Sequence, residues 1–176
     1  MEKYQLYING EFRNSSDGKT YISVNPSDGS EVAEIPKATV QDAKDAIKAA
    51  RDSFDSGVWR NMPFDSGVWR NMPREERSRI IKQIVDKINE NKDRLMSLEI
   101  ADSGATFKKA FDDVFLSAKN LNGFSKLALI NPDEVSEISK EGVSQNLIKY
   151  EPVGVVAQIV PWNFPLKMVI WKIGPA

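Results

Sequence analysis

Cysteine and histidine are both missing from these 176 residues. Their absence excludes disulfides, thiolate or imidazole metal sites, and any catalysis that takes a Cys or His from within this sequence. It also removes the usual clue to redox compartment. An excess of one charge sign is missing too. The 24 Lys and Arg stand against 25 Asp and Glu, for a net charge of −1, and the two signs are interspersed. There is no footprint for nucleic acid or anionic lipid, so neither is expected as a partner. The start, "MEKYQLYING", has no long apolar run behind a basic head, and no secretory signal is expected there. One stretch, residues 153–173, is long enough to weigh as a membrane span. It is broken or charged by Pro161, Asn163, Pro165, Lys167 and Lys172. No membrane partner and a cytoplasmic location are the resulting expectations.

The residues present read as a globular chain: 41% hydrophobic and 28% charged residues suffice to bury a core. In "YQLYINGEF", Tyr4, Leu6 and Ile8 alternate and then meet Asn9-Gly10, a strong hairpin signal. Strand-like runs between turn clusters predict a small β element up to about Pro36. Thr39 offers an N-cap, with Asp42 placed for a capping-box variant. Val40, Ala43, Ile47, Ala50 and Phe54 come next at helical spacing, predicting an amphipathic helix over 40–53. Then "FDSGVWRNMP" occupies 54–63 and recurs letter for letter at 64–73. Each copy holds Gly, Pro and Asp-Ser, so neither reads as regular structure. One copy is expected to pack on the helices, the other to form an extruded loop, with Trp59 and Trp69 structural.

Pro73 suits a helix start, and Ile80, Ile81, Ile84, Val85 and Ile88 share one face of the helix it would open. "NENKD" is expected to bend or split that helix, and Gly104 to end it. A third helix is predicted from about Thr106, with Phe107, Ala110, Phe111, Val114, Ala118 and Leu121 inside. A polar, turn-rich connection begins at Asn131, and "NLIKYEP" alternates weakly, as a solvent-facing strand does. "VGVVAQIV" is a continuous apolar run, the mark of a strand buried on both faces of a parallel sheet. "PLKMVIWKIG" then reads as a helix, so strand, tight loop and helix make half of a βαβ unit.

Nearly the whole chain resembles the N-terminal part of the aldehyde dehydrogenase superfamily. The resemblance is carried by "YINGEF", "VNPSDGSEVAEI", "DAIKAARDSFDSGVWRNMP", "REERSRIIKQIVDKI", "LEIADSGATF", "EPVGVVAQIVPWNFPL" and "WKIGPA", and "PWNFP" is the most specific part. It implies an α/β fold class: an incomplete Rossmann-like cofactor domain preceded by a small β element and helices. The implied divisions are 1–130 for that β element and the helices, 131–152 for the connection and a strand of an oligomerisation arm, and 153–176 for the first strand, loop and helix of the cofactor sheet. It further implies a fragment of an enzyme that oxidises an aldehyde to a carboxylic acid through a thioester, with NAD or NADP as cofactor and a homodimeric or homotetrameric parent.

Carried over by position, Asn163 matches the family's oxyanion donor, and Ile159, Val160, Pro161 and Trp162 match residues lining the cofactor cleft. Phe164, Met168 and Trp171 match the substrate tunnel, and Lys172 a lysine near the path of a proton. Residues 146–150 match part of the subunit-pairing arm. Lys167 stands where the family usually keeps an apolar residue. The family's cysteine nucleophile and glutamate base are not matched in these residues, and no metal ligands are implied.

Plainer readings stand beside these. Taken apart from the surrounding match, Asn163 suits capping the next helix, and the match favours the oxyanion donor. Met168 and Trp171 suit core packing, and Lys172 an ordinary helix surface. The rival for the whole is a non-catalytic truncated product that binds at most nucleotide or a partner subunit. A reading frame that continues past Ala176 into a Cys-bearing segment distinguishes the two.

Overall fold

The computed structural model describes residues 1–56, 71–130, 134–135, 147–148 and 150–176. Strands β2 (Leu6–Ile8) and β3 (Glu11–Arg13) form the hairpin that Asn9-Gly10 predicts. Asn9 has φ 55 and Gly10 φ 82, the paired left-handed residues of a type I′ turn, whose twist suits two antiparallel strands. Tyr7 lies opposite Phe12, with ring centroids 4.9 Å apart. A second sheet has the order β1-β5-β4, from β1 (Glu2–Lys3), β4 (Thr20–Val24) and β5 (Glu31–Pro36). β4 pairs antiparallel with β5 and β1 parallel to it.

Helix α1 (Val40–Asp55) opens with the capping box. Asp42 N–H donates to Thr39 Oγ1 at 3.2 Å, and Thr39 N–H donates to the Asp42 carboxylate at 2.8 Å. Asp42 also accepts from Ser16 N at 3.1 Å and lies 3.5 Å from the Arg13 guanidinium. It therefore ties the segment after β3 to the start of α1. The face expected to be apolar is formed but uncovered among the described residues: Val40, Ala43, Ile47 and Ala50 are exposed.

Helices α2 (Arg74–Glu90) and α3 (Lys92–Ser103) meet at Asn91, inside the predicted break. Gly104 ends α3 at φ 66, a left-handed C-terminus that glycine adopts without strain. Thr106 caps α4 (Phe107–Leu127) by accepting from Lys109 N. The buried face of α4 is Ala110, Asp113, Val114, Ser117, Ala118, Leu121 and Ser125. These residues are mostly small, which lets neighbouring helices approach. Ile88, Val114, Ala118, Leu121 and Ile170 form the core, flanked by Ile81, Val85, Leu95, Met96 and Leu166. Phe107 and Phe111, expected inside, are exposed. They stack with Phe115 on another face, at centroid spacings of 6.5 and 5.7 Å. A helix packed on one side buries one stripe, and the narrower residues took it.

β6 (Glu134–Val135) and β7 (Leu147–Ile148) form an antiparallel pair, and α5 (Pro165–Ile173) packs on α4. The strand expected over 153–160 is not formed. This segment has no ladder hydrogen bonds, and Val153 and Ile159 are each 90% exposed. A parallel strand exists only through its neighbours, and none of the described residues pairs with this one. Residues 57–70 hold most of the ten-residue repeat, so the expectation of one packed and one extruded copy lies outside the described residues.

Candidate functional site

The extended segment 153–160 leads into a turn at Trp162 and Asn163, then into α5. Pro165 occupies the first turn of α5, where its missing N–H costs nothing. Gln158 donates through Nε2 to the Lys172 carbonyl at 3.1 Å, closing the segment back onto the helix. Asn163 is exposed and its carboxamide meets no hydrogen-bonding partner among the described residues. The capping reading is not the one adopted: the N-cap is Phe164, at φ −146 and ψ 70, with no side-chain cap bond. The amide of Asn163 is left free to donate.

The turn is held from another helix. The buried carboxylate of Asp113 on α4 accepts from Lys167 N at 3.2 Å. Asp113 is 1% exposed, and its Oδ2 has no partner. Burial foremost, and then the Glu99 charge, push its carboxyl above the ordinary value of 3.8, against the pull of Lys167 N–H and Lys109. One turn earlier on α4, Lys109 Nζ lies 2.6 Å from Glu99 and 4.8 Å from the Phe164 ring centroid. Lys167 Nζ sits 5.1 Å from the same ring and 4.9 Å from that of Trp171. Both are cation–π distances.

The predicted residues divide by surroundings. Ile159, Val160, Pro161 and Trp162 make one exposed run, with Trp162 81% exposed. Phe164 and Met168 are half-buried, Trp171 is exposed at its edge, and Lys167 bridges Phe164 and Trp171. Lys172 is exposed and contributes its carbonyl, not its ammonium, to the contact with Gln158. A cavity of about 420 Å³ lies between the N-terminal sheet and the helices, lined by Val32, Ile35, Leu98, Val114 and Leu166 among others. None of the predicted site residues lines it. Among the described residues, no group of three or more acidic side chains is placed to hold a metal.

The family model described as the aldehyde dehydrogenase family matches residues 12–176. This chain belongs to the aldehyde dehydrogenase family. It is 34% identical over 172 residues to a human mitochondrial 10-formyltetrahydrofolate dehydrogenase, covering 96% of this chain and 18% of that protein. It is 35% identical over 173 residues to a putative aldehyde dehydrogenase of Bacillus subtilis, covering 98% of this chain and 32% of that one. A point mutant of Staphylococcus aureus betaine aldehyde dehydrogenase, solved in complex with NAD+, superposes with TM-score 0.85. That match is 33% identical over 97% of this chain and 32% of the other. The Bacillus cereus aldehyde dehydrogenase gives TM-score 0.84 at 35% identity, over 98% of this chain and 33% of that one. The chain thus spans about a third or less of the length of these relatives. The fold is a partial aldehyde dehydrogenase α/β fold.

Within this aldehyde dehydrogenase chain, sequence reasoning missed Asp113, Glu99 and Lys109. A signal was available for one of them: Asp113 falls in the apolar stripe of α4, between Ala110 and Val114, where an acid has no reason to be without a partner. No periodicity, however, says which backbone amides a buried acid will meet.

Proposed function

We propose that these residues form part of an NAD(P)-dependent aldehyde dehydrogenase that oxidises an aldehyde to a carboxylic acid, with Asn163 as an oxyanion donor. The observation carrying this is the free carboxamide of Asn163, exposed on a turn whose following residues are held to α4. When a thiolate attacks an aldehyde carbonyl, charge grows on the carbonyl oxygen. A donor already in position stabilises that charge without reorganising. A carboxamide suits the task, being neutral at working pH and thus giving no comparable stabilisation to the thiolate itself. The thiolate must come from outside these 176 residues, which contain no Cys.

NAD or NADP, when bound, accepts the hydride. Ile159, Val160, Pro161 and Trp162 fit its apolar parts, as an exposed run next to the turn. Phe164, Met168 and Trp171 share the side of α5 that would border an aldehyde, and we place the tunnel wall there. Lys172 is proposed as a neighbour of the proton path. For the parent we propose a homodimer or homotetramer paired partly through β7, and a cytoplasmic location. No helix of the described residues is long and apolar enough to cross a membrane, and similar proteins include mitochondrial and cytosolic 10-formyltetrahydrofolate dehydrogenases.

The test is Asn163→Ala in a polypeptide where these residues continue into a cysteine-bearing segment. Turnover falls roughly 100- to 1000-fold with cofactor affinity little changed, if the amide is the oxyanion donor. Turnover within a few-fold of the parent refutes the assignment. The 176 residues alone, lacking a thiol, are expected to produce no NAD(P)H. Production by the purified chain would overturn the thiolate mechanism.

A further inference from the structure

We infer that Asp113 and Lys109, one turn apart on α4, are positioning residues that fix the turn carrying Asn163. The inference rests on the reading of Asn163 as a donor, since only a donor needs so defined a place. Among the described residues Asn163 has no side-chain hydrogen bond of its own to hold it, so its position is inherited from the residues after it. Phe164 supplies no side-chain cap to α5. One free amide of the first turn is met instead by Asp113, reaching Lys167 N at 3.2 Å from a different helix. Lys109 then sets the side chain next to Asn163: its ammonium, anchored on Glu99 at 2.6 Å, lies 4.8 Å from the Phe164 ring centroid. Backbone on one side and ring on the other are thereby gripped by two residues of one helix face.

Packing alone does not account for these residues. An apolar side chain at 113 would fill the stripe between Ala110 and Ser117 without burying a carboxylate oxygen that has no partner. The buried acid is compensated where it meets the Lys167 amide of α5. Glu99 obeys the same logic: 7% exposed, it is satisfied by Lys109 and by Ser103 Oγ. The chain from Glu99 through Lys109 to Phe164, beside that from Asp113 to Lys167 N, links three helices to one turn.

The experiment starts from the 176-residue chain carrying Val153→Lys and Ile159→Lys, two exposed positions charged to keep it dispersed, and adds Asp113→Leu, Asp113→Asn or Lys109→Gln, read by amide hydrogen exchange and ¹⁵N relaxation. Asp113→Leu is expected to lower protection of the Lys167 amide about tenfold or more, with Leu121 in the core unchanged. Asp113→Asn, which keeps an acceptor oxygen, restores most of it. Lys109→Gln loosens the Asn163 backbone on the fast timescale while leaving Lys167 protected. That arm also decides the matter if Asp113→Leu does not fold. Unchanged protection at Lys167 overturns the role of Asp113, as does a loss spread evenly to Leu121 that Asn fails to restore. An Asn163 backbone as ordered in Lys109→Gln as in the parent overturns that of Lys109. None of these readouts measures turnover, so failure here is distinct from failure of Asn163 as oxyanion donor.

Discussion

Asp42 and Asp113 are both almost fully buried against the start of a helix, yet their surroundings push them in opposite directions. Asp42 accepts several hydrogen bonds, first among them that from Thr39 N–H, and its carboxyl is held below 3.8. The folded chain thus binds this proton less tightly than the unfolded chain. Its contribution is fully present above 3.8 and is lost as pH falls through the lowered folded value. Asp113 is raised by burial and by Glu99, so the folded chain binds its proton more tightly. Its contribution is favourable at low pH and is lost as pH rises from 3.8 through the raised folded value. Melting curves across pH should therefore separate two variants. Asp42→Asn is destabilised at neutrality, and its deficit shrinks on acidification below the ordinary carboxylate range. Asp113→Asn improves relative to the parent as pH rises from that range towards neutrality. Glu99 and Asp102 of α3, Lys109 of α4 and Tyr4 also border this region, so the change is read as a difference between variant and parent. A melting-temperature difference for Asp113→Asn that does not vary with pH would contradict the account.

The elements test packing rather than charge, and two glycines make opposite predictions. Gly123 lies inside α4, and an added Cβ there meets nothing within 4 Å. Gly123→Ala should stabilise by up to about 1 kcal/mol, since Ala is the better helix former. At Gly174 the same Cβ would fall 2.3 Å from Phe124 Cδ2 and 2.8 Å from the Ile170 carbonyl. Gly174→Ala must displace Phe124 or lift the end of α5 from α4, at a cost of about 1–3 kcal/mol. Denaturant titration of both variants checks the signs. Thr39→Ala should cost about 1 kcal/mol through its cap, and the helices with such local signals were the legible part of this chain. Thr39 and Asp42, the break at Asn91, the stop at Gly104 and the cap at Thr106 all act within a turn of their own positions. The illegible part depends on residues far along the chain. The Phe107 and Phe111 rings have helical spacing, but which stripe is buried depends on the elements that lie against α4. The run 153–160 has strand composition, but strands are made by partners. Asn163 was legible as a site candidate through "PWNFP", while the grip of α4 on it was not.

At the scale of the whole molecule, the described residues leave a large apolar surface uncovered near residues 153–173. Much of the exposed surface is apolar and contiguous in sequence: Val153, Val156, Ile159 and Val160, then Trp162, Val169, Trp171 and Ile173. Residues 153–160 also combine β-branched side chains, no charge and no proline, and none of their backbone groups is in a ladder. Such a segment is a template for pairing with another copy. The isolated chain should therefore self-associate and bind a hydrophobic dye before any unfolding transition, in sedimentation and fluorescence measurements. The segment's role is separable from that of the core, because Val153 and Ile159 are each 90% exposed and support nothing beneath them. Val153→Lys with Ile159→Lys places charge on the segment at little cost to stability, and should reduce association and dye binding without lowering the melting temperature. If the double variant associates as strongly as the parent, the sticky surface lies elsewhere, with the Phe107, Phe111 and Phe115 strip of α4 the next to change. A parent chain that sediments as a monodisperse monomer and melts in one sharp transition would contradict the prediction outright, and would favour an independently folded binding module over part of an enzyme.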